Sequence, residues 1–356
     1  MIKAEKVTWI LVGIIGIVLL INVYYTLSIN GIASSVAAQT EEDARPAEIE
    51  ITVISDASCT DCSDPQTTVD TIKTANVNVD SQTDLDYSDA SAQALIDKYN
   101  LQYIPAVIIT GEIAKSGSTI MGGVKADDAL IFDTPNPVYL DLSTGEYRGR
   151  VQAKLIVNSD CTDCYDLSTF LTTLGELMSI TSTTEELSDA SEDVEKYDLS
   201  EVPAIIFSGD LDLYPETLTK LEALGTYVGT DLVLTTKVNP PYWDIADNEA
   251  KGLVTVTYLT DDSCNDCYNV KVHKTVLENY GVFIAEENTV DISSTQGQTL
   301  LSTYDITKVP TIIVSSDLQY YDGINKVWAQ VGTIEDDGNY VFRNVSVVSA
   351  NYTDLS

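Results

Sequence analysis

The 356 residues are enough for two or three domains, and an apolar fraction of 44% is enough to give them cores. Fifty-five acidic residues against 19 basic ones leave a formal net charge of −36. A field of that sign repels phosphate backbones and anionic headgroups, which argues against a nucleic-acid partner.

In chain order, residues 1–6 read as a cytoplasmic amino terminus. Residues 7–29, "VTWILVGIIGIVLLINVYYTLSI", form an uncharged run of the length that spans a bilayer as one helix. Lys3 and Lys6 precede it and "EEDAR" follows it, so the positive-inside rule predicts a single-pass protein with its amino end in the cytoplasm and the rest extracytoplasmic or at the cell surface. A signal peptide cleaved near Ala38 is the main rival, and a pilin-like leader cut near Ala4 a more remote one. In either main reading the rest of the chain lies where disulfides persist. Residues 30–47 read as a linker.

Beyond the linker the chain repeats itself. All six cysteines fall in three Cys-x-x-Cys pairs, "DASCTDCSD" (56–64), "SDCTDCYD" (159–166) and "DDSCNDCYN" (261–269), spaced 102 and 103 residues apart. A β-branched apolar run precedes each pair, "EIEITVIS" at 48, "AKLIVNS" at 153 and "LVTVTYLT" at 253, and predicts a buried strand. Forty-two to 46 residues after the first cysteine comes a helix end, a proline and a further strand: "KYNLQYIPAVIITGE", "KYDLSEVPAIIFSGD" and "TYDITKVPTIIVSSD". A last hairpin is predicted in "MGGVKADDALIF", "LGTYVGTDLVL" and "VGTIEDDGNYVF". The segments "NPVYLDLSTGEYRGRV" and "NPPYWDIADNEAKGLV" read as links between units. The expected domains are residues 48–147, 150–249 and 252–352.

A strand, a Cys-x-x-Cys opening a helix, and an Ile/Val-Pro-Ala/Thr strand about 45 residues on, three times over, resembles the thioredoxin superfamily in an arrangement similar to protein disulfide isomerase. The resemblance implies an α/β fold of three tandem thioredoxin-like domains, each a mixed sheet flanked by helices, and the uncharged run places them behind one amino-terminal transmembrane helix. It further implies Cys59, Cys161 and Cys264 as attacking thiols and Cys62, Cys164 and Cys267 as their resolving partners, with Pro105, Pro203 and Pro310 as cis-prolines at the substrate site. The implied activity is thiol-disulfide exchange or isomerisation on exported proteins, with a redox-recycling partner and no cofactor.

The residues between the cysteines depart from the Gly-Pro or Gly-His common in that family. Asp61, Asp163 and Asp266 stand directly before the second cysteine, Asp56, Asp160 and Asp262 lie ahead of the first, and Asp64 and Asp166 follow two of the pairs. A carboxylate about 6 Å from a thiolate costs about 1.4 kcal/mol at an effective dielectric near 40, so the acid is expected to modulate the thiols toward stable disulfides. Helix capping is the other reading of the same aspartates. Two cysteines per unit and a single histidine, His273, do not supply an ordinary zinc set, so no metal is expected. His273 reads as an exposed helical residue. The alternative to an enzyme is a non-catalytic surface or filament protein that uses disulfide-locked domains as spacers.

Overall fold

The computed structural model describes residues 13, 16, 17, 19–28, 42, 44–116, 120, 122–235 and 239–356. The chain falls into two compact units, Met1–Arg148 and Gly149–Ser356, the second holding two copies of the architecture found in the first.

The first copy begins with β1 (Ala47–Ser55), followed by α1 (Gln66–Lys73), β2 (Val77–Asp86), α2 (Ala90–Tyr99), the two-residue β3 (Tyr103–Ile104), β4 (Ala106–Gly111), α3 (Ile113–Ser116), β5 (Val124–Lys125) and β6 (Leu130–Phe132). The sheet order is β2-β1-β4-β6-β5, with β1 and β2 parallel and the remaining neighbours antiparallel. The apolar run "AVII" of β4 is explained by this position. Val107 and Ile109 enter one core with Val69 and Ile72 of α1, whereas Ala106 and Ile108 enter a second core with Ala92 of α2. A strand buried on both faces needs apolar residues at every position, not alternate ones.

The same order recurs as β9 (Val151–Val157), α4 (Ser168–Gly175), β10 (Ile180–Glu186), α5 (Ser191–Tyr197), β11 (Glu201–Val202), β12 (Ala204–Gly209), α6 (Pro215–Glu222), β13 (Gly225–Val228) and β14 (Asp231–Thr235). Their sheet runs β10-β9-β12-β14-β13. The third copy comprises β17 (Val254–Thr260), α7 (Val272–Asn279), β18 (Ile284–Asp291), α8 (Thr295–Thr303), β19 (Lys308–Val309), β20 (Thr311–Val314), α9 (Asp322–Trp328), β21 (Gly332–Ile334), β22 (Tyr340–Phe342) and α10 (Val345–Val348), with its sheet in the order β18-β17-β20-β22-β21.

Two sequence expectations are corrected here. The segments expected to link the units are parts of the fold: β7 (Tyr139–Asp141) and β8 (Glu146–Arg148) form a hairpin whose first strand pairs antiparallel with β3. β15 (Tyr242–Asp244) and β16 (Glu249–Lys251) do the same on β11, and β23 (Thr353–Asp354) pairs with β19. The single-pass membrane localisation is also overturned, because among the described residues no helix is long and apolar enough to cross a membrane. Part of the expected anchor, residues 7–12, 14, 15, 18 and 29, lies outside the described residues.

Candidate functional site

In each copy the cysteine pair sits on the loop leaving the first strand and closes a disulfide: Cys59–Cys62, Cys161–Cys164 and Cys264–Cys267, with Cα atoms 5.4–5.5 Å apart. All six cysteines are half-buried. The expected placement at a helix start is corrected, since α1, α4 and α7 begin at Gln66, Ser168 and Val272, four or five residues beyond the second cysteine. A helix dipole acts mainly within its first turn, so it gives the first cysteine little assistance.

Hydrogen bonds hold the loop instead, and they repeat. The residue three before the first cysteine turns the chain: the side chains of Asp56, Asn158 and Asp261 accept from the backbone N–H of Ser58, Asp160 and Ser263, while their carbonyls accept from the N–H of Cys59, Cys161 and Cys264. A second carboxylate, at the end of the neighbouring strand, accepts from the next backbone N–H: Asp86 from Ala57, Glu186 from Ser159, Asp291 from Asp262. A third position leads into the helix, where Asp64, Asp166 and Asn269 accept from Gln66, Ser168 and Lys271. Much of the acid at the cysteines is therefore spent on backbone N–H groups of an irregular loop.

Asp56 is the most enclosed of these groups. Burial works to raise its pKa, but hydrogen bonds from Ser58 and the Tyr147 hydroxyl outweigh burial and hold it below the usual carboxylate range. Hydrogen bonds from Ser263 and Thr353 likewise lower Asp261. Sequence reasoning singled out Asp56 but took Asp160 and Asp262 as its counterparts. Aligning "DASC", "NSDC" and "DDSC" on the cysteine would have pointed to Asn158 and Asp261.

Asp61, Asp163 and Asp266 lie on the solvent side, all exposed, with an Asp61 oxygen 3.5 Å from Cys59 Sγ. Asp160 and Asp262 are exposed as well. Exposed charges of this kind act on a neighbouring thiolate only through screened water. Asp160→Asn combined with Asp163→Asn should raise the reduction potential of Cys161–Cys164 by on the order of 30 mV near pH 9, where the reduced pair is charged, and by less in 1 M salt. A potential independent of both the substitutions and the salt would leave these aspartates no electrostatic role.

The three prolines follow the short strands β3, β11 and β19. The bonds Ile104–Pro105, Val202–Pro203 and Val309–Pro310 are all cis, each between a two-residue strand and the central strand that follows. Backbone hydrogen bonding connects these strands to the cysteine loop through β7, β15 and β23. Leu140 pairs with Ile104 while the carbonyl of Val138 accepts from Ser63 N–H at 2.8 Å. Trp243 pairs with Val202 and Pro241 accepts from Tyr165 N–H at 2.8 Å; Thr353 pairs with Val309 and Asn351 accepts from Tyr268 N–H at 3.1 Å.

The third copy adds a connection that sequence reasoning missed. His273, expected on the surface, is only 6% exposed, its ring 4.5 Å from that of Phe342. The Tyr268 hydroxyl donates to the carbonyl of Pro310 at 2.9 Å and lies 3.1 Å from His273 Nε2. With that hydroxyl proton committed to Pro310, neutral His273 donates its own Nε2–H to Tyr268. Burial pushes His273 down to about 4 and Tyr268 up to about 12. Among the described residues no three His, Cys, Asp or Glu side chains are grouped to hold a metal ion.

A mixed sheet flanked by helices, with a Cys-x-x-Cys disulfide on the loop after its first strand and a cis-proline heading its central antiparallel strand, defines thioredoxin-like domains, here three in tandem. No family model and no curated protein matches the chain. Among solved structures, the alkylhydroperoxide reductase protein AhpF from Enterococcus faecalis is 14% identical, with 47% of this chain and 82% of that one covered and a TM-score of 0.18. A protein disulfide oxidoreductase from Aeropyrum pernix is also 14% identical, over 47% and 77% of the two chains, at a TM-score of 0.16. Human ERp44 is 9% identical over 89% and 98%, at 0.14. Scores this low carry no argument, and the fold rests on the topology and loop geometry above.

Proposed function

We propose that the protein is a thiol-disulfide oxidoreductase or isomerase acting on protein thiols and disulfides. The supporting observation is the threefold recurrence of a half-exposed Cys-x-x-Cys disulfide on a hydrogen-bonded loop, joined through one short strand to a cis-proline. Such a disulfide is a weak staple: the chain-entropy relation gives about 2 kcal/mol for so short a loop, against nearly 5 for one of 100 residues. Three pairs kept at that spacing are better explained by exchange chemistry.

In the oxidising direction a client thiolate attacks Cys59 Sγ, the Cys59–Cys62 bond breaks, and Cys62 leaves as the thiolate. The client's second thiol, once deprotonated, attacks its own sulfur in the mixed disulfide and releases Cys59. Two electrons pass from client to pair, and the client's two protons go to the reduced cysteines or to solvent. The reverse sequence reduces a client, and a dithiol or disulfide partner restores the pair. Cys161–Cys164 and Cys264–Cys267 act in the same way, with Pro105, Pro203 and Pro310 lining the approach.

The full chain should speed the reshuffling of a scrambled disulfide protein, and replacing Cys59, Cys161 and Cys264 together by Ser should return the rate to the uncatalysed background. A native protein no faster than that background would favour the second reading, a disulfide-locked spacer, for which the observation is that all six cysteines are paired.

A further inference from the structure

Beside each disulfide runs a strand edge of the kind to which an extended polypeptide adds, and the chain has filled all three edges itself. β7, β15 and β23 lie on β3, β11 and β19 in one register, within the related segments "VYLDLS", "PYWDIA" and "NYTDLS". Each segment makes the same two outer bonds. Before its tyrosine, the carbonyl of Val138, Pro241 or Asn351 accepts from the residue that follows the second cysteine. After its aspartate, the N–H of Leu142, Ile245 or Leu355 donates to the carbonyl of Gln102, Ser200 or Thr307 at 2.7–2.9 Å.

In the third copy the segment also reaches the sulfur. Thr353 Oγ1 lies 3.7 Å from Cys267 Sγ and donates to Asp261 at 2.6 Å, the carboxylate that turns the cysteine loop. In the first copy the hairpin's other strand does the corresponding work, through Tyr147 and Asp56.

We propose that these segments are resident straps: each occupies the polypeptide-docking edge at its own disulfide, and an extended client reaches that disulfide by displacing the strap. Main-chain pairing makes such an edge tolerant of sequence, so the partner it fits is any unpaired extended segment that carries a cysteine. The strap leaves the cysteines half-exposed, so a small reductant is excluded far less than a polypeptide. This rests on the proposed exchange activity for its purpose but not for its geometry.

The third copy suits the test, because among the described residues no strand lies behind β23 that its alteration would disturb. In the full chain, Leu355→Pro removes the N–H given to Thr307, and deletion of residues 350–356 removes the strap. Reduction of Cys264–Cys267 is followed by alkylation and mass spectrometry, with a small phosphine or a dithiol polypeptide as reductant.

Both variants should speed reduction by the polypeptide about tenfold, the change expected when one or two hydrogen bonds no longer hold the strap closed. The phosphine rate should change less than threefold, and Cys59–Cys62 and Cys161–Cys164 should not respond. Added peptide of sequence SANYTDLS should slow the deleted form again. If deletion unfolds the third copy, as Trp328 fluorescence would reveal, Leu355→Pro decides. Polypeptide rates within twofold of the native chain, or equal acceleration by both reductants, overturn the strap. A strap confirmed in this way in a protein that reshuffles nothing would refute the exchange activity alone.

Discussion

Phe207→Ala should cost the second copy about 3–5 kcal/mol, the range for removing a large buried aromatic side chain. Phe207 is fully buried on β12, between Ala153 of β9 and Leu232 of β14 in the register of the sheet. The same core holds Leu155, Leu171, Leu174, Leu211 and Leu221, contributed by a strand, two α-helices and a short 3-10 helix. A central strand held on both edges cannot shift to close the void, so the cavity term adds to the lost transfer energy. Domains of this size are stable by about 5–15 kcal/mol, and the loss would be a large part of that. Urea unfolding followed at Trp243 reports on the second copy, while Trp328 reports on the third. A midpoint shift at Trp243 worth less than 1 kcal/mol would show that this core can collapse around the gap.

The second large effect is a pH dependence confined to the third copy. His273 titrates near 4 in the folded chain because burial penalises its charged form, whereas an unfolded histidine titrates near 6.5. Above 6.5 it is neutral in both states and contributes no pH dependence. Below 6.5 the unfolded chain takes up a proton that the folded chain refuses, so stability falls with pH, by about 2 kcal/mol at pH 5 and about 3 near pH 4. Asp261 and Asp291 have lowered pKa values from their hydrogen bonds to Ser263 and Ser293, so their stability is lost only on further acidification, below about 4. The interval from 6.5 to 5 therefore belongs chiefly to the histidine. His273→Gln keeps an N–H for the Tyr268 hydroxyl and should flatten the interval in urea titrations read at Trp328. An unchanged slope in that variant would assign the pH dependence to other groups.

What could be read from the sequence depended on how local its cause was. The runs before each cysteine pair became strands whose buried residues alternate with polar ones along their first half, and those after each proline are apolar throughout because they are buried on two faces, as Val107, Ile108 and Ile109 are. The threefold recurrence of cysteine pair and proline block made the tandem fold legible, since a repeat shows itself in spacing alone. The cysteine loop was only half legible. Its aspartates were visible, but which of them reach a backbone N–H, as Asp56, Asp86 and Asp64 do, depends on turns that spacing does not disclose.

Tertiary structure alone decided two features. β7, β15 and β23 are two or three residues long and pair with partners more than 30 positions earlier, Leu140 with Ile104 for one, so no periodicity announces them, and the first two read as links. His273 read as surface from its place on the helix six residues beyond Cys267; the rings of Tyr268 and Phe342, from a loop and a strand apart in sequence, enclose it. Composition, spacing and charge are properties of residues near one another along the chain and were settled before folding. Which edge a short strand fills depends on backbone groups left unpaired elsewhere, and those exist only once the sheet has formed.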